Sequence, residues 1–143
     1  MEKTHLGGTC LNCGCIPTKM LVHPATLASG AVDAQRLGVD LQFRGADFRA
    51  IQRRIFERID AIADAGLAWR RQSANVTVFR RAGRFLDAHT LQVGRERITA
   101  DTFVLAAGSR PVLPDVRGID DRDLASMIHT SESIMRVPEL PKH

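Results

Sequence analysis

The sequence predicts an α/β fold, part of a doubly wound parallel sheet that carries an inserted antiparallel β-meander. Three observations support this prediction. A long amphipathic helix is expected over residues 47–72, short runs with a period of two fill residues 75–100, and a continuous apolar run ends in glycine at 102–108. An apolar run of that kind is typical of a parallel strand buried on both faces. The short alternating runs are typical of antiparallel strands.

The composition excludes several classes of protein. Of the 143 residues, 44% are hydrophobic and 25% are charged, which is typical of a globular domain and not of a disordered, collagen-like or coiled-coil chain. No apolar run approaches the ~18 residues of a membrane span, and the start of the chain lacks the apolar stretch of a signal peptide. We therefore expect a soluble, cytoplasmic protein without a membrane partner.

The charge and the aromatic content argue against a nucleic-acid partner. The net charge of +4 suits an anionic ligand, but it is too diffuse to require nucleic acid. The chain has no Tyr and a single Trp, which leaves few side chains that could stack on bases.

The helix over 47–72 is the clearest single element, and Asp47 is expected to cap its N-terminus. Its apolar stripe recurs at steps of three and four. The stripe consists of Phe48, Ile51, Ile55, Ile59 and Ile62. The arginines that fall largely off the stripe are interpreted as a solvated basic face: Arg49, Arg53, Arg54 and Arg58.

The second half of the chain is predicted to be mostly strand and turn. The meander over 75–100 should contain strands at 75–79, 83–87, 90–93 and 97–100, with a turn at 87–89. The segment 102–118 is expected to supply the buried parallel strand and a following turn. The segment 130–143 is expected to be a short helix followed by a proline-bounded linker at a domain junction.

All three cysteines lie within six positions, at Cys10, Cys13 and Cys15. In an intracellular chain such a cluster indicates redox chemistry or metal binding. Cysteines five apart in an ideal helix have Cα atoms about 8–9 Å apart, whereas a disulfide needs roughly 4.4–6.8 Å. A redox-active Cys10–Cys15 disulfide therefore requires Cys10 in a turn before the helix. Pro17 favours a helix that begins close behind Cys15, where a helix N-terminus stabilises a thiolate.

Two alternatives to a redox disulfide remain at this point. The three cysteines, together with His23, could supply four zinc ligands, although their spacing is not that of a usual zinc site. They could also be inert core thiols, because free cysteine packs like a small hydrophobe. Cys13 considered alone is interpreted as a bystander.

The stretch 7–19, GGTCLNCGCIPTK, closely resembles the redox motif of the flavin-dependent pyridine nucleotide-disulfide oxidoreductases. This family includes glutathione reductase, dihydrolipoamide dehydrogenase, mercuric reductase and mycothione reductase. Cys13 is the departure from the motif. The mycothione reductase branch is the most similar, in the stretches 15–20, 58–63, 106–114 and 129–141.

The resemblance implies a role for three catalytic residues. Cys10 would be the interchange thiol that attacks a substrate disulfide, and Cys15 would lie against the flavin as the charge-transfer thiolate. Lys19, one helical turn beyond Cys15, would place its charge near N5 of the flavin ring. The implied reaction is reduction of a low-molecular-weight thiol disulfide, mycothione disulfide in that branch, with NADPH as the electron source.

The resemblance also implies FAD-binding residues. An acidic side chain near the end of the second strand would bind the adenosine ribose, and the glycine-rich turn would approach the pyrophosphate through its backbone. Segment 2–34 would thus combine ribose binding with the redox disulfide, and 102–118 would close over FAD. The implied FAD contacts are Glu2, Gly7, Gly8, Thr9, Cys10, Lys19, Gly83, Ala107 and Gly108; no metal site is implied.

Several parts of such an enzyme have no counterpart in the sequence. No G-x-G-x-x-G phosphate loop occurs, so the first βα unit of the FAD-binding domain is expected to be missing. The NADP-binding domain and the His–Glu pair of the family's dimerisation domain are likewise expected outside this chain. We therefore interpret the chain as an internal fragment of a homodimeric flavoenzyme. The alternative is an inactive remnant that binds no FAD.

Overall fold

The computed structural model describes residue 2, residues 5–121 and residues 123–141. Lys3, beside Glu2 in the predicted strand end, and the last two residues of the predicted linker lie outside the described residues. The elements in chain order are α1 (Gly8–Asn12), α2 (Cys15–Arg36), α3 (Phe48–Gln72), β1 (Gly83–Phe85), β2 (Thr90–Val93), β3 (Glu96–Thr99) and a 3-10 turn (Ile134–Arg136). No helix in the described part of the chain is long and apolar enough to cross a membrane.

The chain forms two compact units, each made of two stretches of sequence. The first unit contains the residues up to Gly8 together with Ile62–Arg110. The second unit contains Thr9–Ala61 together with the residues from Pro111 onward. The cysteine cluster lies in the second unit, and the meander lies in the first.

The helix predicted behind the glycines is divided in two. The turn that was predicted to hold Cys10 is the short helix α1, and α2 begins at Cys15 and ends at Arg36. Pro17 lies in the first turn of α2 and is buried, as its missing N–H and restricted φ favour. The break between α1 and α2 falls at Cys13 and Gly14.

Helix α3 begins at Phe48 because the Asp47 side chain caps it. Asp47 Oδ1 accepts a hydrogen bond of 2.9 Å from the Ala50 N–H, as expected for an N-cap. The predicted apolar stripe is correct at Ile55 and Ile59, which have no exposed surface. It is wrong at Ile62, which is 47% exposed, because the buried line continues in steps of four to Ala63.

The segment 130–143, predicted as a short helix and a proline-bounded linker, contains the 3-10 turn and packs on α3 in the second unit. Val137 is buried, and Gln52 donates a side-chain hydrogen bond to the Met135 carbonyl at 3.0 Å. Arg136 donates two hydrogen bonds to the Asp60 carboxylate, at 2.6 and 3.2 Å. The Arg136 guanidinium also lies 4.2 Å from the centre of the Phe56 ring. Residues 134–137 are therefore anchored to α3.

The antiparallel meander consists of three paired strands in the order β1-β2-β3. The predicted turn at 87–89 is present: the Asp87 carboxylate accepts a hydrogen bond of 2.8 Å from the His89 N–H. That bond, the largest cause, lowers the pKa of Asp87 below its ordinary value. The strand predicted at 75–79 is wrong, because no ladder forms there within the described residues. The Phe79 carbonyl instead accepts a backbone hydrogen bond from Glu2.

The buried parallel strand predicted at 102–108 is also wrong. Residues 102–110 form neither helix nor strand and belong to no ladder in the part of the chain that the structure describes. Val104 is 87% exposed and Leu105 is 77% exposed. Phe103 alone has an aromatic neighbour, Phe85, whose ring centre is 5.0 Å away. An apolar run becomes a buried strand only where neighbouring strands supply hydrogen bonds and cover both faces.

Candidate functional site

Cys10 and Cys15 meet where α1 gives way to α2. Cys10 lies in α1, and Cys15 is the first residue of α2. Both side chains are exposed as free thiols, and Cys15 is near enough to Cys10 to raise the pKa of its thiol. The predicted geometry, with Cys10 ahead of the helix that starts at Cys15, is therefore present. The exposure of both thiols contradicts the alternative of inert core cysteines.

Gly14 makes the approach of these two segments possible. A Cβ atom at this position would lie 2.9 Å from the Thr9 carbonyl oxygen and 3.3 Å from the Cys10 Cα atom. Both neighbours are backbone atoms and cannot swing away as a side chain would. The chain between Cys13 and Cys15 can consequently pass against the backbone of Thr9 and Cys10 only with glycine at position 14.

The environment of Cys10 affects its ionisation in two directions. The side-chain hydrogen bond with Cys15 is the largest cause and raises the pKa of the Cys10 thiol, together with desolvation and the charge of Cys15. The Cys15 backbone N–H and the charge of Lys19 lower that pKa. The net effect is a raised pKa, so the thiol form of Cys10 predominates while Cys15 is beside it.

Lys19 is brought to the cysteine pair as the sequence predicts. It lies in α2 one turn beyond Cys15, and its ammonium acts electrostatically on the Cys10 sulfur. Thr9 is in the same unit, where its carbonyl accepts a hydrogen bond of 3.0 Å from the Cys13 N–H. The structure thus groups Thr9, Cys10, Cys15 and Lys19.

The other predicted FAD contacts belong to the first unit. These residues are Glu2, Gly7, Gly8, Gly83, Ala107 and Gly108. Gly7, Gly8 and Gly108 have φ angles of 107°, 62° and 70°, a region that favours glycine. A Cβ atom at Gly8 or at Gly108 would meet nothing within 4 Å. The backbone at these two glycines is therefore open to a ligand, which fits the close approach that a dinucleotide cofactor requires.

The described residues give no support to a zinc site. Among residues 2, 5–121 and 123–141, no group of three or more His, Cys, Asp or Glu side chains is arranged to hold a metal ion. Cys13 is half-buried, whereas Cys10 and Cys15 are exposed.

The predicted basic face of α3 lines a groove of about 770 Å³ in the second unit. Met20 of α2 and a set of α3 residues form its walls: Ala50, Arg53, Arg54, Glu57 and Arg58. Those three arginines are exposed, as predicted for a solvated face. Arg49 differs, because it forms an ion pair of 2.5 Å with Glu139.

Sequence reasoning missed Gly14 as a member of the site. The structure shows that Gly14 permits a close contact between two segments of the chain. The signal that could have identified it is its position as the single residue between Cys13 and Cys15. A glycine in that position lacks the Cβ that would separate the two segments.

Known proteins are similar to this chain over almost all of its length. The family model for pyridine nucleotide-disulphide oxidoreductases matches residues 2–143. Mycothione reductase from Mycobacterium tuberculosis is 40% identical over 151 residues, covering 99% of this chain and 31% of that protein. Dihydrolipoyl dehydrogenase from Haemophilus influenzae is 35% identical over 144 residues, covering 96% of this chain and 29% of that protein. The chain therefore spans about a third of the length of these relatives.

A solved structure extends the agreement to the fold. The Cu(II) complex of the HOCl-induced flavoprotein disulfide reductase RclA from Escherichia coli matches with a TM-score of 0.75 at 25% identity. The match covers 98% of this chain and 28% of that one. It confirms the predicted fold class, part of an α/β FAD-binding domain. The chain belongs to the pyridine nucleotide-disulphide oxidoreductase family.

Proposed function

We propose that this chain is the disulfide-bearing part of an FAD-dependent enzyme that reduces a small-molecule disulfide, with Cys10 and Cys15 as its redox pair. One observation carries the proposal: two exposed thiols come together at the break between α1 and α2, where Gly14 lets the chain pass close to Cys10. Disulfide exchange needs the thiolate, and the charge of Lys19 favours that form of Cys10 against the larger, opposite effect of Cys15.

The pair can reduce a disulfide in two exchange steps. The Cys10 thiolate attacks one sulfur of the substrate, forms a mixed disulfide and releases the first substrate thiolate. Cys15 then attacks the Cys10 sulfur, forms the Cys10–Cys15 disulfide and releases the second. The substrate gains two electrons and the cysteine pair loses two. The exposure of Cys10 permits the first step, and the nearness of Cys15 to Cys10 supports the second.

FAD, when bound, would supply the hydride chemistry that returns the oxidised pair to two thiols, with NADPH as the electron source. The FAD contacts are proposed to be those implied by the resemblance. Lys19 would hold a positive charge beside the pair and near the flavin ring. NADPH would bind outside these 143 residues, and the whole enzyme would be a homodimer.

The substrate is proposed to be mycothione disulfide, because the similarity to mycothione reductase is 40% over almost the whole chain. Dihydrolipoyl dehydrogenases and mercuric reductases also match, at 35% and 27% identity in two examples. A dihydrolipoamide dehydrogenase-like or a glutathione or mercuric reductase-like activity is therefore the alternative within the family.

A trapping experiment tests the interchange role of Cys10 without the cofactor. The double variant Cys13→Ser/Cys15→Ser retains Cys10 alone and cannot resolve a mixed disulfide. Incubation with mycothione disulfide, oxidised lipoamide or glutathione disulfide should leave an adduct on Cys10, measured by intact mass. The matched control, Cys10→Ser/Cys15→Ser, retains Cys13 alone. Its rate of adduct formation should be at most about one-tenth of the rate for the Cys10 variant. Equal rates in the two variants would contradict the role of Cys10, and the ranking of the disulfides tests the substrate.

A titration with FAD tests the alternative of an inactive remnant. Binding should quench flavin fluorescence. Gly108→Val should weaken FAD binding, because the valine side chain would cover backbone that is open in the unaltered chain. Gly38→Val is the matched control, since Gly38 has a similar φ of 78° and equally open surroundings but is outside the proposed site. Absence of FAD binding by the unaltered chain would favour the remnant.

A further inference from the structure

Cys13 lies at helical spacing from Cys10. The Cys13 N–H donates a hydrogen bond of 3.0 Å to the Thr9 carbonyl, so the helical bonding of α1 continues through Cys13. Residues three apart in an α-helix have Cα atoms about 5 Å apart, from the rise and radius of the helix. That separation is inside the roughly 4.4–6.8 Å that a disulfide requires. The Cα separation therefore permits a disulfide between Cys10 and Cys13.

Gly14 lets the segment that contains Cys13 and Cys15 lie close to Cys10. The close contact of Gly14 with Thr9 and with the Cys10 Cα atom draws the Cys13–Cys15 segment against Cys10. Cys10 thus has one possible partner on each side of Gly14. Its own side chain is exposed, so rotation about its χ1 angle is not blocked by packing.

We propose that Cys13 is a second disulfide partner of Cys10 and exchanges with Cys15. The Cys13 thiolate attacks the Cys10 sulfur of the Cys10–Cys15 disulfide. The Cys10–Cys13 bond forms, the Cys10–Cys15 bond breaks, and Cys15 leaves as a thiolate. No electrons enter or leave, so the exchange needs no further oxidant or reductant. The inference rests on the proposed function only for the presence of the Cys10–Cys15 disulfide.

The exchange has a consequence for the proposed enzyme. In the Cys10–Cys13 form, the interchange thiol is occupied while Cys15 is free. The two forms contain the same number of electrons and differ only in which thiol is available. Part of the oxidised protein would thus contain the Cys10–Cys13 disulfide. The reverse exchange must then restore the Cys10–Cys15 disulfide.

Peptide mapping tests the proposal on the chain itself. Oxidation with diamide converts two thiols to a disulfide, and N-ethylmaleimide at mildly acidic pH, where thiol–disulfide exchange is slow, then marks the remaining thiol. Trypsin releases residues 4–19 as one peptide that contains all three cysteines. Fragmentation then shows which cysteine carries the label. We expect label on Cys13 and on Cys15, with the Cys15-labelled form making up about one-tenth or more of the monomeric product.

Two variants complete the test. Oxidised Cys15→Ser should lose both remaining thiols through a Cys10–Cys13 bond, whereas oxidised Cys13→Ser should form the Cys10–Cys15 bond alone. The same mapping in concentrated urea shows the pairing that chain proximity alone produces, so a variant that fails to fold is recognised by an unchanged pattern. A native chain labelled on Cys13 alone, with both thiols retained in Cys15→Ser, would overturn the inference and leave the proposed function intact. A chain that never forms Cys10–Cys15 would instead remove the proposed function.

Discussion

The thiol of Cys10 faces the influence of Cys15 across the break between α1 and α2. This influence raises the pKa of Cys10, while Lys19 lowers it. The two influences predict opposite responses to substitution.

Replacement of Cys15 by Ala should lower the pKa of Cys10, because it removes the hydrogen bond that stabilises the thiol form. Replacement of Lys19 by Met should raise it, because it removes a cation that stabilises the thiolate. The pH dependence of alkylation by iodoacetamide, measured with Cys13→Ser present throughout, reports both midpoints. Lys19→Arg retains the charge and serves as the control. Shifts in the same direction for Cys15→Ala and Lys19→Met would contradict this explanation.

Substitution of Gly14 by Ala should destabilise the second unit by about 1–3 kcal/mol, the usual cost of overpacking. The added Cβ would meet the backbone of Thr9 and Cys10, so the two helices must separate. The yield of the Cys10–Cys15 disulfide after mild oxidation should fall as well.

Gly30→Ala is the matched control for Gly14→Ala. Gly30 lies inside α2, and a Cβ there would meet nothing within 4 Å. Alanine should therefore stabilise the helix by about 0.5–1 kcal/mol. Urea denaturation followed by circular dichroism compares the two variants, and equal effects would show that Gly14 does not act through close contact.

Loss of the Arg136 side chain should release the 3-10 turn from α3. Its two hydrogen bonds to Asp60 and its contact with Phe56 are half-exposed, so Arg136→Ala should cost about 1–2 kcal/mol. Arg49→Ala removes the more exposed ion pair with Glu139 and should cost less than about 0.5 kcal/mol. Hydrogen exchange of residues 134–137, followed by mass spectrometry, should accelerate only in Arg136→Ala.

The exposed apolar segment at 102–110 should promote self-association of the chain. Val104 and Leu105 are exposed, and a segment outside any described ladder leaves backbone groups that another chain can pair with. Val104→Lys/Leu105→Lys should therefore reduce light scattering on concentration.

Leu27→Lys/Val32→Lys on α2 is the control for this prediction. Those residues are 66% and 65% exposed, but their helical backbone is already hydrogen-bonded within the helix. The control should reduce association less than the double substitution at 104 and 105. An equal reduction in light scattering by the two double substitutions would show that exposed apolar area alone causes the association, without a role for the unpaired backbone.

Local signals were sufficient for much of the fold. Asp47 caps α3 and Asp87 closes the hairpin because each side chain bonds a backbone N–H two or three residues ahead, which depends on little beyond the local sequence. The strands at 83–85 and 90–93 formed because a turn placed them side by side. The helix starting at Cys15 followed from Pro17 and the glycines ahead of it.

The sequence by itself determined the family and predicted the cysteine pair and Lys19 as site residues, because the motif at 7–19 specifies residue types and spacing. The tertiary structure alone decided which apolar segments are covered. The run at 102–108 has the composition of a buried strand, yet Val104 and Leu105 are exposed, since burial depends on neighbours that local composition does not encode. The anchoring of 134–137 by Arg136, Asp60 and Phe56, and the contact of Gly14 with Cys10, likewise depend on segments meeting in space. Those contacts form because packing distant segments together lowers the free energy, and the sequence of one segment does not specify its packing partner.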